Sequence, residues 1–514
     1  MYMWTNYMLC FVLAAVFCLL FTPVFRRLGI KMGAYSQPGG RNVNNLPVSR
    51  LGGAPVFISF LLALGVILYV MDFFNLNLPR IAGQSLLFPL LCGAACVWLL
   101  GLIDDIRHLR ARYKLLIQIT AAAGVYSLGL QIHAIYFPFF GVLNLGDYSP
   151  LFTIMWIVGT INAVNLIDGI DGLCPGVVLC SLLGILYLAI FFGVNMVAVV
   201  CFALIGCTLA FLKFNFQPAS VFLGDSGAYF LGFMIAALPV FIVSKNSPPG
   251  VFHIAFIMFM IIPFLDTCLA ILRRLVIMGI PLSTPDRGHL HHRLLDKGYT
   301  HKKIAVTMSF ISLVFVIAGV TLVTGNGRQT LPAALIAAAA AYLLLHLCGI
   351  NSIKNLKPKN AENATKAVLL KEHAPSFFQD LISAADWNQA RKILDNFGQN
   401  TEMCKANITC QKNGSHKVVW DWSDELSSQC RRKPQLCKTC RVFYDDVCYQ
   451  FYFCWDSEYS HMQNDTDALL EVISKTIGKS CHEKFFSSGI AFEKSESLLL
   501  SGGGLRLAGD DRAN

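Results

Sequence analysis

Long apolar stretches dominate the first 350 residues of the chain and predict its secondary structure. A helix needs roughly 20 consecutive, mostly apolar residues to cross the hydrocarbon core of a bilayer. The pattern predicts eleven such helices, at residues 4–24, 54–72, 85–103, 115–131, 150–166, 175–193, 196–212, 227–244, 251–272, 304–323 and 331–349. The first lacks a preceding basic residue and a small-residue cleavage site, so we interpret it as a span and not as a cleaved signal.

The pattern changes near residue 350, where stretches of membrane-spanning length end. The remainder predicts a helix at 375–397 that ends before Gly398, strands at 418–422 and 442–455, and a second helix at 466–477. We therefore expect two domains: an all-α polytopic membrane domain at residues 1–350 and a soluble α+β domain at residues 351–514. The sequence of the second domain indicates no function.

Composition supports a membrane protein and excludes several other classes. The 514 residues are 55% hydrophobic and only 14% charged, whereas a soluble domain is about 25% charged. Disorder, collagen, coiled coil and a single soluble globule are excluded. The formal charge of +10 belongs entirely to residues 1–350, which hold 20 Lys and Arg against 10 acids. Given the hydrophobicity, we interpret this charge as positive membrane loops and expect no nucleic-acid partner.

Basic residues are distributed unevenly between alternating loops, which predicts the orientation. One set of loops holds 17 of the 20 basic residues, and the other holds only Arg80, Lys245 and Arg328. Cytoplasmic loops carry an excess of Lys and Arg. We therefore expect the N-terminus outside and, after eleven spans, the C-terminal domain in the cytoplasm.

All ten acids of the membrane domain are Asp, and eight fall on the predicted cytoplasmic side. They are Asp104, Asp105, Asp168, Asp171, Asp225, Asp266, Asp286 and Asp296. A carboxylate in the middle of a membrane helix costs roughly 2.5–3.5 kcal/mol. Solvated helix ends would explain one Asp, but Glu would serve there equally well and none is used.

Two motifs place oxygen-bearing side chains at predicted helix ends. Asp104 and Asp105 close the third span, and a basic run that includes Lys114 follows. Further on, Asn162, Asn165 and Asp168 are spaced to share one helix face. The glycines around Asp171 then expose backbone N–H groups. Oxygen ligands beside free amides suit a hard divalent cation that carries a diphosphate, and a polar, glycine-capped helix end is the alternative.

Two further motifs flank the eighth and tenth predicted spans. Asp225 lies between Gly224 and Ser226, just before the eighth span, where a ligand can approach the backbone closely. The other is a basic loop that contains Arg287, His289, His291, His292 and Arg293. Arginine favours phosphate or carboxylate binding. A histidine metal site is the alternative, although no Cys or Glu with zincin spacing accompanies it.

These motifs, in this order, resemble those of the polyprenyl-phosphate N-acetylhexosamine-1-phosphate transferases. They are most similar to bacterial UDP-GlcNAc:undecaprenyl-phosphate GlcNAc-1-phosphate transferases. The matching segments are GLIDD at 101–105, NAVNLIDGIDGL at 162–173, FLGDSG at 222–227 and PDRGHLHHRLL at 285–295. The resemblance covers about residues 1–350. It implies transfer of an N-acetylhexosamine 1-phosphate, GlcNAc-1-phosphate first, from the UDP-sugar to polyprenyl phosphate at the bacterial inner membrane, with release of UMP.

The resemblance also implies a role for each motif residue. It implies that Asp225 and Asn165 bind Mg²⁺, with Mn²⁺ as an alternative, and that the catalytic residues are Asp104, Asp105, Asp168 and Asp171. The implied substrate-binding residues are Lys114, Asn162, Phe222, Arg287, His289, His291, His292 and Arg293. Two mechanisms stay open: direct attack by the lipid phosphate, or prior attack by an Asp. Membrane lipids are further partners, and a homodimer is a candidate assembly.

Two other functions compete with a transferase. A secondary transporter also uses intramembrane Asp residues, but it predicts acids near the middle of several helices. An intramembrane prenyltransferase needs two Asp-rich repeats, whereas Asp104 is followed four positions later by His108. The transporter is kept as the alternative.

The C-terminal domain is rich in cysteine. It holds eight Cys, of which only Cys437 and Cys440 have the spacing of a zinc knuckle. Disulfides are typical of secreted chains, and the expected compartment here is the reducing cytoplasm. Free thiols are therefore expected, with a structural zinc as the alternative.

Overall fold

The structure is a computed structural model with two compact units, Met1–Pro358 and Lys359–Asn514, each with its own hydrophobic core. It describes residues 2–36, 47–73, 84–107, 109–137, 141–246, 252–277, 288–325, 327–350, 373–384, 386–401, 403, 405–412, 415–423, 435–444, 447–456 and 464–480.

Helices form most of the first unit. They are α1 Tyr2–Lys31, α2 Gly53–Phe73, α3 Gln84–Arg107, α4 Ala111–Ser127, α5 Ser149–Ile167, α6 Leu173–Phe191, α7 Asn195–Asn215, α8 Gly224–Asn246, α9 Phe252–Phe259, α10 Ile261–Ile271, α11 Leu290–Asp296, α12 His301–Thr324 and α13 Gly327–Leu347. Many large apolar side chains on α1, α12 and α13 are exposed, as expected for helices that contact lipid as well as protein.

The predicted all-α, multi-pass architecture is confirmed, with fewer helices of spanning length in the described part of the chain than the eleven predicted. Among the described residues, nine helices are long and apolar enough to cross a membrane, and α9 and α10 pass the same test together as one bent span. The fourth predicted segment, at 115–131, corresponds to α4, which has only 17 residues and is not among these helices. The chain is therefore an all-α, multi-pass membrane protein in this unit. Its orientation stays a prediction.

Helix α8 lies at the centre of the membrane unit. Of its membrane-spanning stretch, 94% is buried, and it packs against both α3 and α5. Small residues permit this packing: Gly101 of α3 faces the backbone of Ser226, and Gly232 faces the backbone of Ile161. Small residues at contacts let membrane helices approach closely. The start of α8 is therefore held beside the ends of its two neighbours.

The ninth span is bent by 75° between α9 and α10. Pro263, in the first turn of α10, has no N–H to donate to the carbonyl of Phe259 four residues earlier. That carbonyl accepts a hydrogen bond from the Ser181 hydroxyl instead, at 2.7 Å. Pro263 therefore causes the bend, and the Ser181 side chain of α6 supplies the hydrogen bond that the Phe259 carbonyl loses.

Two short antiparallel hairpins complete the described membrane unit. Strand β1 (Tyr35–Ser36) pairs with β2 (Val48–Ser49), and β3 (Ala134–Phe137) pairs with β4 (Gly141–Asn144). Residue Ser49 of β2 also forms a bridge to Val221, just before α8. This contact ties the first loop to the start of the central helix.

The second unit has the predicted α+β composition. Its elements are α14 at 373–383, α15 Trp387–Asn400, β5 Lys405–Lys412, β6 Ser415–Ser423, β7 Gln435–Tyr444, β8 Val447–Asp456 and α16 Asn464–Ser480. The strands form one antiparallel sheet in the order β6-β5-β8-β7. The Trp420 ring N–H of β6 donates to Asp395 of α15 at 2.8 Å.

One detail of the predicted second domain is wrong, and one alternative considered for it does not fit the structure. The single helix at 375–397 is divided into α14 and α15, because Asp386 caps α15 by accepting from the Gln389 N–H at 2.8 Å. Gly398 lies inside α15, against the ring of Trp422.

Cys437 and Cys440, whose spacing suggested a zinc knuckle, lie within the regular strand β7. A zinc knuckle needs a tight turn between its two cysteines, so this segment does not fit one.

The bend at Met260 generates a stability prediction. Ser181→Ala leaves the Phe259 carbonyl without its described donor in a buried position, which costs roughly 1–3 kcal/mol. We expect a lower midpoint of thermal unfolding in detergent. Thr321→Ala is the matched control, because the Thr321 hydroxyl donates to the Ile317 carbonyl of its own helix at 2.8 Å. Equal midpoints for the two variants would contradict the assigned role of Ser181.

Candidate functional site

Four helix ends meet at one face of the membrane unit. Helices α3 and α5 end there, and α4 and α8 begin there. They bring together Asp104 at the end of α3, Lys114 in the first turn of α4, Asn165 near the end of α5 and Asp225 in the first turn of α8. Residues separated by up to 121 positions in sequence thus form one polar cluster, which we call the carboxylate cluster.

Asp105 caps the first turn of α8. Its carboxylate accepts from the backbone N–H of Asp225 at 2.8 Å, from the N–H of Ser226 at 3.0 Å and from the Ser226 hydroxyl at 2.7 Å. The first N–H groups of a helix have no partner within the helix, and a carboxylate there also suits the helix dipole. Asp105 is buried and holds α8 against α3, so it positions the site.

Asp225 is the most exposed carboxylate of the cluster, with 31% of its side chain accessible. One oxygen accepts from the Asn165 amide at 2.9 Å. The other accepts from the Lys114 ammonium at 3.3 Å and from the Tyr229 hydroxyl at 3.3 Å. The sequence motifs did not identify Tyr229, one helical turn after Asp225. Three donors therefore orient a carboxylate that still faces the open side of the site.

Asp104 is the buried member of the cluster. Only 2% of its side chain is exposed, and it forms an ion pair with Lys114. Its second oxygen accepts from the Leu109 N–H at 2.6 Å. The carboxylates of Asp104 and Asp225 interact with each other as well as with Lys114. Two carboxylates thus share one ammonium group, which leaves an excess of negative charge.

A divalent cation fits this cluster. Asp225 supplies accessible carboxylate oxygens, the ligand type that Mg²⁺ prefers, and Mg²⁺ needs only one or two of them beside water and phosphate oxygens. The shared ammonium of Lys114 shows that Asp225 and Asp104 attract positive charge. Asn165 differs from its expected role as a ligand, because its N–H₂ group points at Asp225. In this arrangement it orients the carboxylate.

The loop after α5 is anchored to the segment before α8. Asp171 accepts from the Ala219 N–H at 3.0 Å. Asn215 accepts from the Gly172 N–H at 3.0 Å and donates to the Val221 carbonyl at 3.0 Å. Asn215 belongs to a motif noted in the sequence but was not among the predicted site residues. These bonds make Asp171 a structural anchor of the loop.

Asp168 differs from its neighbours. It is half-buried, and no hydrogen bond to its carboxyl group is found within the part of the chain that the structure describes. Burial, together with the carboxylates of Asp225 and Asp105, raises the pKa of Asp168 well above its usual range. Such a group lies where a proton or a cation is accepted readily.

The Phe222 backbone joins two loops beside the cluster. Its N–H donates to the Ser49 carbonyl at 2.8 Å, and its carbonyl accepts from the Gly52 N–H at 3.0 Å. The ring is half-buried. A partly exposed aromatic face at the rim of the site is compatible with stacking on a base.

Two of the histidines contact different parts of the site, and one of them is less cationic than the sequence suggested. The ring of His289 binds Asp266 at 3.0 Å, and Asp266 also accepts from the Leu290 N–H at 2.8 Å. Burial lowers the pKa of His291 to about 4, so this ring is neutral at pH 7. It lies against Gly169, which connects α11 to the loop after α5. Asp266, absent from the predicted site residues, was signalled by its place in an apolar span.

Of the remaining predicted site residues, those of α11 lie near the contact between His291 and Gly169. The ring of His292 is 4.4 Å from that of His291 between centroids, and Arg293 donates to the Gly288 carbonyl at 3.0 Å. Asn162 donates to Gln118 within the membrane. Arg287 lies outside the described residues. The structure thus brings the carboxylates of Asp104 and Asp225 together with Lys114 and Asn165. Helix α11 contacts the adjacent loop after α5.

The chain is similar to enzymes of known name. Residues 87–243 match the model of glycosyl transferase family 4. A probable undecaprenyl-phosphate N-acetylglucosaminyl 1-phosphate transferase of Bacillus subtilis is 34% identical over 314 residues, which cover 61% of this chain and 84% of that protein. The decaprenyl-phosphate N-acetylglucosaminephosphotransferase of Mycolicibacterium smegmatis is 33% identical, over 56% of this chain and 75% of that protein.

A third relative is more distant in sequence but similar in extent. The undecaprenyl-phosphate alpha-N-acetylglucosaminyl 1-phosphate transferase of Thermotoga maritima is 29% identical over 310 residues. These cover 60% of this chain and 88% of that protein.

The cap at α8 generates a second stability prediction. Asp105→Ala removes three hydrogen bonds and leaves buried N–H groups without their acceptor, which costs roughly 1–3 kcal/mol or more. We expect the unfolding midpoint in detergent to fall by about 5 °C or more. Asp296→Ala, at an exposed carboxylate, is the control. If the two variants unfold at the same temperature, Asp105 does not hold the start of α8.

Proposed function

The chain belongs to glycosyl transferase family 4, and from this we propose that it transfers N-acetylglucosamine 1-phosphate from UDP-N-acetylglucosamine to polyprenyl phosphate, with release of UMP. The three relatives described above are named as transferases that act on undecaprenyl or decaprenyl phosphate. This reaction would begin the synthesis of a lipid-linked cell-envelope polysaccharide. The transporter alternative has no support from these relatives.

The observation that carries the proposal is the carboxylate cluster at one end of four membrane helices. A water-soluble nucleotide sugar and a membrane lipid must meet where the membrane ends. Two carboxylates, an ammonium group and an amide converge there. Phosphoryl transfer depends mainly on positioning and on neutralising charge, and these groups supply both.

The acceptor needs little activation. A phosphate monoester has a second pKa near 6, so it is already mostly a dianion at neutral pH. We propose that one of its oxygens attacks the sugar-linked phosphorus of the donor while UMP leaves from the opposite side. Lys114 would bind a phosphate oxygen with the face of its ammonium group that the two carboxylates leave open.

Asp225 would hold the Mg²⁺ ion, which Mn²⁺ could replace, and the buried Asp104 would add negative charge beside it. When bound, the ion supplies charge neutralisation for the diphosphate. Asn165 and Tyr229 keep the Asp225 carboxylate in one orientation. Asp105 holds the backbone from which it projects. The site thus separates groups that contact the reactants from groups that position them.

Direct displacement needs no carboxylate nucleophile, and two of the candidate Asp residues are unsuited to act as one. A nucleophilic Asp must expose an oxygen to the phosphorus, but Asp105 has three hydrogen bonds and Asp104 is 2% exposed and paired with Lys114. Neither carboxylate is arranged for attack. We therefore propose one displacement step, with the lipid phosphate as the nucleophile.

We propose that the site faces the cytoplasm at the bacterial inner membrane, since 17 of the 20 basic residues of the membrane part occur in loops on the site's side. Residues 1–350 would form the transferase domain and residues 351–514 a separate soluble domain. The relatives match about three fifths of the chain, which agrees with a transferase domain of this size.

Asp225→Asn tests the proposal. It keeps the size of the side chain and removes the charge that a cation and a diphosphate require. We expect normal folding and a loss of turnover of roughly 10²–10³-fold or more. The measurement follows labelled UDP-N-acetylglucosamine with polyprenyl phosphate and Mg²⁺, and quantifies labelled lipid and UMP.

Asp147→Asn is the control, because Asp147 is exposed and lies at the opposite ends of the helices. It should retain wild-type turnover. Absence of labelled lipid with the wild-type protein would overturn the proposed reaction. Full activity of a folded Asp225→Asn protein would exclude Asp225 as a ligand.

A further inference from the structure

A second polar pair lies one helical turn deeper in the membrane than the carboxylate cluster. Gln118 follows Lys114 by four residues on α4, and Asn162 precedes Asn165 by three residues on α5. Both steps keep the side chains on the same helix face, about 4.5–6 Å further from the helix ends. Asn162 donates to the Gln118 amide oxygen at 2.7 Å. Gln118 itself is 1% exposed.

The hydrogen bonds of Asn162 determine which way Gln118 points. The Asn162 N–H₂ group also donates to the Val158 carbonyl at 2.8 Å. Because a carbonyl only accepts, this bond identifies the nitrogen of Asn162. Both of its hydrogens are then used, and the Gln118 atom facing it must be the oxygen. The Gln118 N–H₂ group therefore points away from Asn162.

That N–H₂ group is buried and has no hydrogen-bond acceptor among the described residues. Buried amide donors are rarely left without an acceptor, because desolvation then goes uncompensated. Most residues of the surrounding helix faces are apolar, for example Ala121 and Ala122 one turn further along α4. An oxygen atom supplied by a ligand would complete the hydrogen bonding of Gln118.

We propose that Gln118 donates a hydrogen bond to the phosphate of the lipid acceptor, and that it is a binding residue for the acceptor and not for the nucleotide sugar. The proposal rests on the proposed transferase function. A nucleotide sugar reaches the cluster from the aqueous loops. A polyprenyl phosphate must place its headgroup between the cluster and its own chain, which stays among the membrane helices. Gln118 lies at this border.

A neutral amide suits this position. A lysine there would carry a charge into the membrane at a cost of roughly 2.5–3.5 kcal/mol, whereas a carboxylate would repel the phosphate. An amide donates to a phosphate oxygen without either penalty. The hydrogen bond to a charged oxygen is also stronger than one between neutral groups.

The test uses full-length protein and measures KM separately for polyprenyl phosphate and for UDP-N-acetylglucosamine. Gln118→Met keeps the length of the side chain but removes its donors. Gln118→Glu keeps an oxygen for Asn162 and replaces the donors by a second oxygen. For both variants we expect KM for polyprenyl phosphate to rise roughly tenfold or more, with KM for the nucleotide sugar changed by less than about twofold.

Gln131→Met is the matched control. Among the described residues, the Gln131 amide donates to the Tyr126 carbonyl at 3.0 Å, beyond the far end of α4, so neither KM should change. Two variants guard against a folding defect, since Gln118→Glu retains the bond from Asn162. An unchanged KM for the lipid in either folded variant would overturn the proposal, as would a rise confined to the nucleotide sugar. Water alone would then be the partner of Gln118.

Failure of the proposed reaction is distinguishable from failure of this inference. If the wild-type protein forms no labelled lipid, the reaction itself is wrong. Binding of polyprenyl phosphate without donor then tests Gln118 directly, by retention of the labelled lipid on immobilised full-length protein. Retention by wild type and Gln131→Met, but not by Gln118→Met, would support the inference, and equal retention by all three would overturn it.

Discussion

The hydrogen bonds from the start of α8 to Asp105 are the contact on which the rest of the site depends. One carboxylate at the end of α3 accepts from two backbone N–H groups and one hydroxyl of α8. Gly101 allows the backbone of α3 to approach that of Ser226, and Gly224 leaves room for the Asp105 carboxylate. Because Asp225 is the second residue of α8, fixing this helix start also fixes the side chain that faces the open site.

The arrangement places opposing electrostatic requirements in separate residues. The carboxylate of Asp105 accepts from N–H donors at the positive end of α8. It therefore has partners within the protein and needs no cation. Asp104 and Asp225 share one ammonium group and keep excess negative charge. Stability and cation binding are therefore provided by adjacent carboxylates with different partners. The deeper pair of Gln118 and Asn162 is neutral, as the lower polarity of the membrane requires.

The sequence predicted the parts of the structure that depend on local pattern. Apolar length alone predicted the multi-pass architecture, and nine of the predicted segments correspond to described helices long enough to span a membrane. The order of the Asp-rich motifs indicated the family. Sequence could not distinguish Asp104 from Asp105, because their roles depend on helices that lie more than 100 residues away. It also could not show that Asn165 turns its N–H₂ group towards Asp225, or that Asp266 binds the His289 ring. The break before α15 could have been predicted from the sequence, since Asp is a favourable N-cap residue and Asp386 precedes this helix.

The most direct test of this account is a double-mutant cycle on turnover between Asp105→Asn and Asp225→Asn. If Asp105 acts only by placing Asp225, its substitution has little further effect once the Asp225 carboxylate is gone. We predict that the residual turnover of the double variant lies within about threefold of Asp225→Asn alone, although Asp105→Asn lowers turnover strongly in the wild-type background. Losses that multiply in the double variant would show that Asp105 has its own part in the chemistry, and would contradict the account.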